Sequence, residues 1–149
     1  MNISKLSRSD LKEFLDEKVH LFETRDFIPD DPISIPHLFS DQRDVEIAGF
    51  LAATIAWGNR KSILKNANSL MERMDHAPYD FVMNFTDSDR AAFNGFVHRT
   101  FQPDDVFCFM QALKRIIVTH GSIELLISKQ WVKDGRPENM KSALSHFHQ

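Results

Sequence analysis

Cysteine is almost missing from this sequence: Cys108 is the only one in 149 residues. A single thiol excludes an internal disulfide, and with no signal peptide at the N-terminus it points to a reducing cytoplasm. Because Cys108 sits in the apolar run Val-Phe-Cys-Phe-Met, it is expected to be an inert core thiol. Tyrosine is as scarce, one against thirteen Phe, so aromatic bulk comes nearly without polar handles and most of these rings are expected in the core. Positive charge is not in excess. The formal net charge is −3, which excludes a global basic field and leaves only a local patch to meet nucleic acid or an anionic surface. No apolar run reaches the roughly 20 residues that span a bilayer, so no membrane partner is expected. There is no phosphate-binding loop, dinucleotide fingerprint or nucleophile elbow. The seven His residues include no i, i+4 pair and no companion Cys cluster, so neither a metal site nor a cofactor is expected. No catalytic residue is assigned, because nothing assembles a nucleophile, a base and an orienting group.

What the sequence does contain is helical periodicity. Residues 45–74 dominate it. From Val45 to Trp57 the only charge is Glu46, the mark of a helix buried on most sides. Ser40 or Asp41 caps it, Asp44 lies near its positive end, and Gly58 stops it. Gly49, Ala48, Ala52, Ala53 and Ala56 allow neighbouring helices close approach. Asn59 then caps a second helix whose face is Ile63, Leu64, Ala67, Leu70, Met71 and Met74, making a helix hairpin. Ahead of this pair, a capping-box pattern at Ser7 and Asp10 opens an amphipathic helix over residues 9–23, with Leu11, Phe14, Leu15, Val19 and Phe22 on its apolar face. Pro29, Pro32 and Pro36 make residues 26–36 a loop, and its isoleucines pin that loop to the core. After the hairpin come a short helix from Pro78 to Phe85, another over 88–93 capped by Thr86 or Asp87, a turn at Asn94-Gly95 and a connector over 96–101. The longest later helix starts at Pro103 and ends at His120-Gly121, with Val106, Phe109, Met110, Leu113, Ile116 and Ile117 inward. Ser122 caps a further helix to about residue 131. The last segment, 138–149, carries Met140, Ala143, Leu144 and Phe147 at helical spacing and stops without a cap. That ending suggests the N-terminal part of a longer protein. The expected fold is all-α, a compact orthogonal bundle of about seven helices forming one domain over 1–149.

Two stretches are candidates for chemistry. In the corner Trp57-Gly58-Asn59-Arg60-Lys61, glycine permits close backbone approach. The following helix start offers amides and a positive dipole end to a phosphate, Arg60 and Lys61 add charge, and Trp57 can stack on a base or simply pack. The competing reading is an ordinary helix hairpin with solvated basic residues. The pair His98-Arg99, flanked by Phe96 and Phe101, matches the basic-aromatic interleaving of single-strand binders. Its competing reading is a connector whose Phe side chains are core.

The segment DVEIAGFLAATIAWGNRKSILKNANSLMERM, with GFVHRTFQPDDVFCFMQAL downstream, resembles the N-terminal half of a bacterial domain-of-unknown-function family, number 2400, over roughly residues 11–144. That family is distantly similar to the helix-hairpin-helix DNA glycosylases of the endonuclease III type, in which an apolar helix is followed by a polar turn that enters the duplex. The resemblance implies a glycosylase-like half-fold, DNA as partner, and a DNA-facing turn at Gly58-Asn59-Arg60. The chain departs from those enzymes in lacking the glycine-rich hairpin, the catalytic Asp and an iron–sulfur set of cysteines. The alternative is a helical interaction or scaffold module. Its apolar patch would be completed by a missing C-terminal half or by a second copy in a homodimer.

Overall fold

The apolar stretch forms its helix slightly early. In the computed structural model, which describes residues 7–133, this helix is Gln42–Thr54 (α2). Asp41 is its N-cap: the carboxylate accepts the Arg43 amide at 2.9 Å. It also pairs with the Arg43 guanidinium at 2.6 Å, and that hydrogen-bonded partner pulls the Asp41 pKa down to about 2. Ile47, Ala48, Leu51 and Ala52 are buried, and Ile55 follows them into the core at 1% exposure. The expected helical end at Trp57 is not reached. Ala56 N–H bonds back to Ala53 O and Trp57 N–H to Ile55 O, tightening the chain so that it leaves the helix before Gly58.

The acids of α2 reach outward to cap other helices. The first turn of the short helix Pro78–Asn84 (α4) has no side-chain cap of its own; Asp44 accepts its Tyr79 amide at 2.9 Å. At Ile123–Lys133 (α6), Glu46 accepts the first amide, from Ile123, at 3.1 Å. Gln42 bonds Glu124 in the same helix at 2.8 Å. Helix starts leave amides without intrahelical partners, and here a third element supplies them. The Arg43 guanidinium also lies 4.3 Å from the Tyr79 ring centre.

Around α2 the remaining elements follow the expected periodicity. Arg60–Arg73 (α3) is capped by Asn59 and buries Ile63, Ala67, Leu70 and Met71. Pro103–His120 (α5) buries Val106, Met110, Leu113 and Ile117, and ends at Gly121 with φ 94°. Ser122 Oγ accepts the Leu125 amide at the start of α6. The expected 88–93 helix is a 3₁₀ segment, Asp87–Phe93, opened by a capping box between Thr86 and Asp89. The proline loop is not irregular either: it folds into three 3₁₀ turns, Arg25–Asp30, Pro32–Ser34 and Pro36–Leu38, of which Ile35 and Pro36 are buried. Among the described residues there is no strand, and the fold is all-α. None of those helices is long and apolar enough to cross a membrane. The segment 138–149, with Met140, Ala143, Leu144 and Phe147, lies outside the described residues.

Three expectations need correction. Cys108 is exposed, not core, because Val106, Met110 and Leu113 define the inward face of α5 and residue 108 lies nearly opposite. The Phe rings are less buried than their number suggested. Phe85, Phe93 and Phe96 are buried, while Phe50, Phe109 and Phe101 are half-buried and form a chain of ring contacts that ends on Phe96. Helix Arg8–Phe22 (α1) forms with its capping box in place but contains no buried residue; Leu15, Val19, Leu21 and Phe22 are at least half exposed. Its end is held by the edge contact of Phe22 with Phe27.

Asp44→Ala and Glu46→Ala are each expected to lower unfolding free energy by about 1–2 kcal/mol, the cost of losing a cap and stranding an amide. In urea titrations the midpoints should fall at unchanged slope, and the two losses should add.

Candidate functional site

Trp57, Gly58 and Arg99 come together at one corner although 41 positions separate Trp57 from His98. The structure builds this corner from the core outward. His98, the buried polar residue at 2% exposure, sits between the two candidate stretches. The Asn66 amide nitrogen lies 3.4 Å from Val97 O and 2.8 Å from His98 Nδ1. A carbonyl can only accept, so the NH₂ end of Asn66 faces both groups and Nδ1 accepts. The ring proton is therefore on Nε2, which donates to Trp57 O at 3.3 Å. The imidazole and indole rings also meet nearly perpendicular, at 84°, with 6.2 Å between ring centres. His98 thus holds Trp57 from inside the fold and is itself almost wholly shielded from solvent.

Arg99 leaves this buried ring in a tight turn. His98 and Phe101 exchange both backbone hydrogen bonds, at 3.0 and 2.9 Å, and Arg99 takes φ 56° between them. That left-handed conformation is uncommon for a residue with a Cβ. It projects the guanidinium over the indole, 5.0 Å from the ring centre, a cation–π contact. Gly58 makes room: at φ 110°, a Cβ there would lie 3.1 Å from the Arg99 guanidinium carbon. Trp57 nevertheless remains 44% exposed.

The rest of the corner is less open than its sequence suggests. Asn59 Oδ1 accepts the Lys61 and Ser62 amides at 3.1 and 3.3 Å, so the α3 start is already capped from within. Arg60 faces Asp31 at 3.7 Å and lies 5.7 Å from the Phe27 ring centre. Lys61 and Arg99 make no ion pair among the described residues, in contrast to Arg43, Arg60 and Arg90. Beside the corner, a groove of about 470 Å³ runs between α2 and the 3₁₀ turns, floored by Gly49, Ala52 and Ala56, with Asp31 and Arg60 at its rim. The small residues of α2 therefore split: Ala48 and Ala52 are buried, while Gly49 faces Pro36, which a Cβ at that position would meet at 3.7 Å, in a proline turn rather than a helix. Phe27 and Asn66 were not singled out by the sequence, nor was the pairing of Asp31 with Arg60. Asp31 and Phe27 belong to a loop whose fold-back has no local signature, and Asn66 reads as one more polar residue on α3. Among the described residues no three His, Cys, Asp or Glu side chains cluster as a metal site would require.

A family model described as "Protein of unknown function (DUF2400)" matches residues 31–149. No curated protein and no solved structure matches the chain.

Gly58→Ala should lower stability by about 1–2 kcal/mol, because alanine resists positive φ. Gly49→Ala should instead be neutral or stabilising by up to about 1 kcal/mol, since its Cβ would meet Pro36 at ordinary contact distance and favour the helix. Paired thermal melts check both signs.

Proposed function

The chain belongs to the DUF2400 family of proteins of unknown function, and we propose that its Trp57–Lys61 corner and Arg99 turn form one contact surface for nucleic acid, DNA in the first instance. The observation that carries this reading is convergence. Two basic-aromatic stretches far apart in sequence meet through His98, with Arg99 held in a left-handed turn over an exposed indole. A conformation of this kind persists only where surrounding contacts enforce it, and such residues concentrate at functional sites. In this reading Lys61 and Arg99 meet phosphates, since neither charge is neutralised by a neighbouring carboxylate, and Arg60 contributes once it leaves Asp31. Gly58 and His98 position these groups. The glycosylase resemblance drawn from the sequence, if extended to this chain, implies a DNA-facing turn at the same corner. No catalytic role is assigned to any residue of the chain.

Fluorescence anisotropy with labelled DNA, titrated against salt, tests this. Each phosphate contact on a duplex contributes about −0.9 to the slope of log affinity against log salt. Lys61→Ala combined with Arg99→Ala is expected to flatten the slope by roughly 2 and weaken binding regardless of sequence. Absence of binding at about 50 mM salt, or an unchanged slope in the double variant, overturns the assignment.

A second reading rests on α1. Its apolar face, with Leu15, Val19 and Phe22 about half exposed, has the composition of a buried face and nothing among the described residues that buries it. Exposed apolar patches of this kind mark protein interaction surfaces, and in this reading a second copy of the chain covers it. Sedimentation velocity should then show self-association that Leu15→Asp plus Val19→Asp abolishes without loss of helix signal. A monomer at all concentrations, with no hydrophobic-dye binding, counts against it.

A further inference from the structure

We propose that Trp57 and Arg99 together form a stacking platform for one unpaired base, so that the corner takes single-stranded nucleic acid in preference to an intact duplex. The inference rests on the nucleic-acid reading above and narrows it to a ligand class.

An exposed tryptophan on a flexible loop would be of little use as a platform, because ordering it on binding would cost affinity. Trp57 is fixed beforehand. Its carbonyl accepts the His98 Nε2–H, its backbone N–H bonds Ile55 O at 2.8 Å, and its ring stands nearly perpendicular to the buried imidazole. Arg99 then covers part of the ring with a guanidinium that has no carboxylate partner among the described residues. Even so, Trp57 stays 44% exposed. What remains is a partly exposed indole, anchored from inside the fold, with a cation lying against its ring.

Chemistry selects the ligand. In an intact duplex the base faces are covered by their neighbours, and a protein meets only phosphates, sugars and groove edges. A π surface gains little from those groups. An unpaired base offers a whole face, and aromatic side chains hold such bases without reading their sequence, with arginine adding cation–π attraction. Lys61 stands close along the chain to receive an adjacent phosphate. The platform is sequence-tolerant and indifferent to the sugar, so DNA and RNA strands share the chemistry it recognises.

The experiment uses the full chain with Trp131→Phe, which leaves Trp57 as the sole indole. Oligo-dT, oligo-U, a backbone of the same length made of abasic sites, and a hairpin duplex are titrated at fixed salt. Tryptophan emission and anisotropy are both read. Stacking predicts that both base-bearing strands quench Trp57 while the abasic strand and duplex do not. Trp57→Leu should weaken oligo-dT binding about 10-fold, the range found when a base loses its aromatic partner. The abasic strand and duplex should change less than about 2-fold, and Trp57→Phe should restore most of the loss. Circular dichroism of each variant confirms that the fold is kept. If oligo-dT binds without quenching, or Trp57→Leu weakens the abasic strand and duplex equally, the platform is wrong while the nucleic-acid reading stands. If none of the ligands binds, both fall.

Discussion

Two carboxylates on one buried helix set the arrangement of this fold. Asp44 and Glu46 lie two residues apart on α2 and reach the starts of α4 and α6. An amide at a helix start must find a partner, and a carboxylate is the strongest acceptor available to it because the bond is charge-assisted. The pair therefore locates two helices relative to a third with directional bonds, where apolar packing alone would tolerate sliding. Leu51, Ile47 and Ile55 then fill the space these bonds define, and ring contacts link Phe81 to Phe93 and Phe85 to Phe107 beside them.

The other end of α2 works by the same logic with different chemistry. There the chain leaves the helix, and the Trp57 carbonyl is taken by a histidine from a remote turn. His98 is held by Asn66 of α3. One ring thereby ties together the end of α2, the body of α3 and the turn before α5. A buried polar group this well satisfied specifies a geometry. The geometry it specifies puts Arg99 over Trp57 beside Gly58.

Helices and their caps were legible in the sequence because they are local. Asn59, Ser122 and Gly121 act within a turn or two of themselves, and the inward faces of α3 and α5 follow a 3.6-residue period. Both halves of the candidate corner were legible too, as composition. Their meeting was not, since no periodicity relates Trp57 to Arg99. His98 was legible only as half of a basic pair, a candidate contact or a plain connector, and its burial at 2% exposure was not. The free amides expected at the α3 start turn out to be held by Asn59 itself. Cys108 and the α1 face were misjudged for a common reason: an apolar neighbourhood in sequence says which residues prefer burial and not whether the fold has room for them. The acids of α2 illustrate the reverse case, as Asp44 looked like a local dipole partner and proved to cap a different helix.

The account stands on the claim that the Trp57 corner and the Arg99 turn face nucleic acid as a single surface. Photo-crosslinking tests it most directly: an oligonucleotide carrying iodouracil at each position in turn is irradiated in complex with the chain, and the adducts are mapped by mass spectrometry. Adducts on Trp57, with flanking peptides at Lys61 and Arg99 protected from lysine- and arginine-modifying reagents, are the predicted result. Adducts confined to α1 or α5, or none at saturating oligonucleotide, would contradict it.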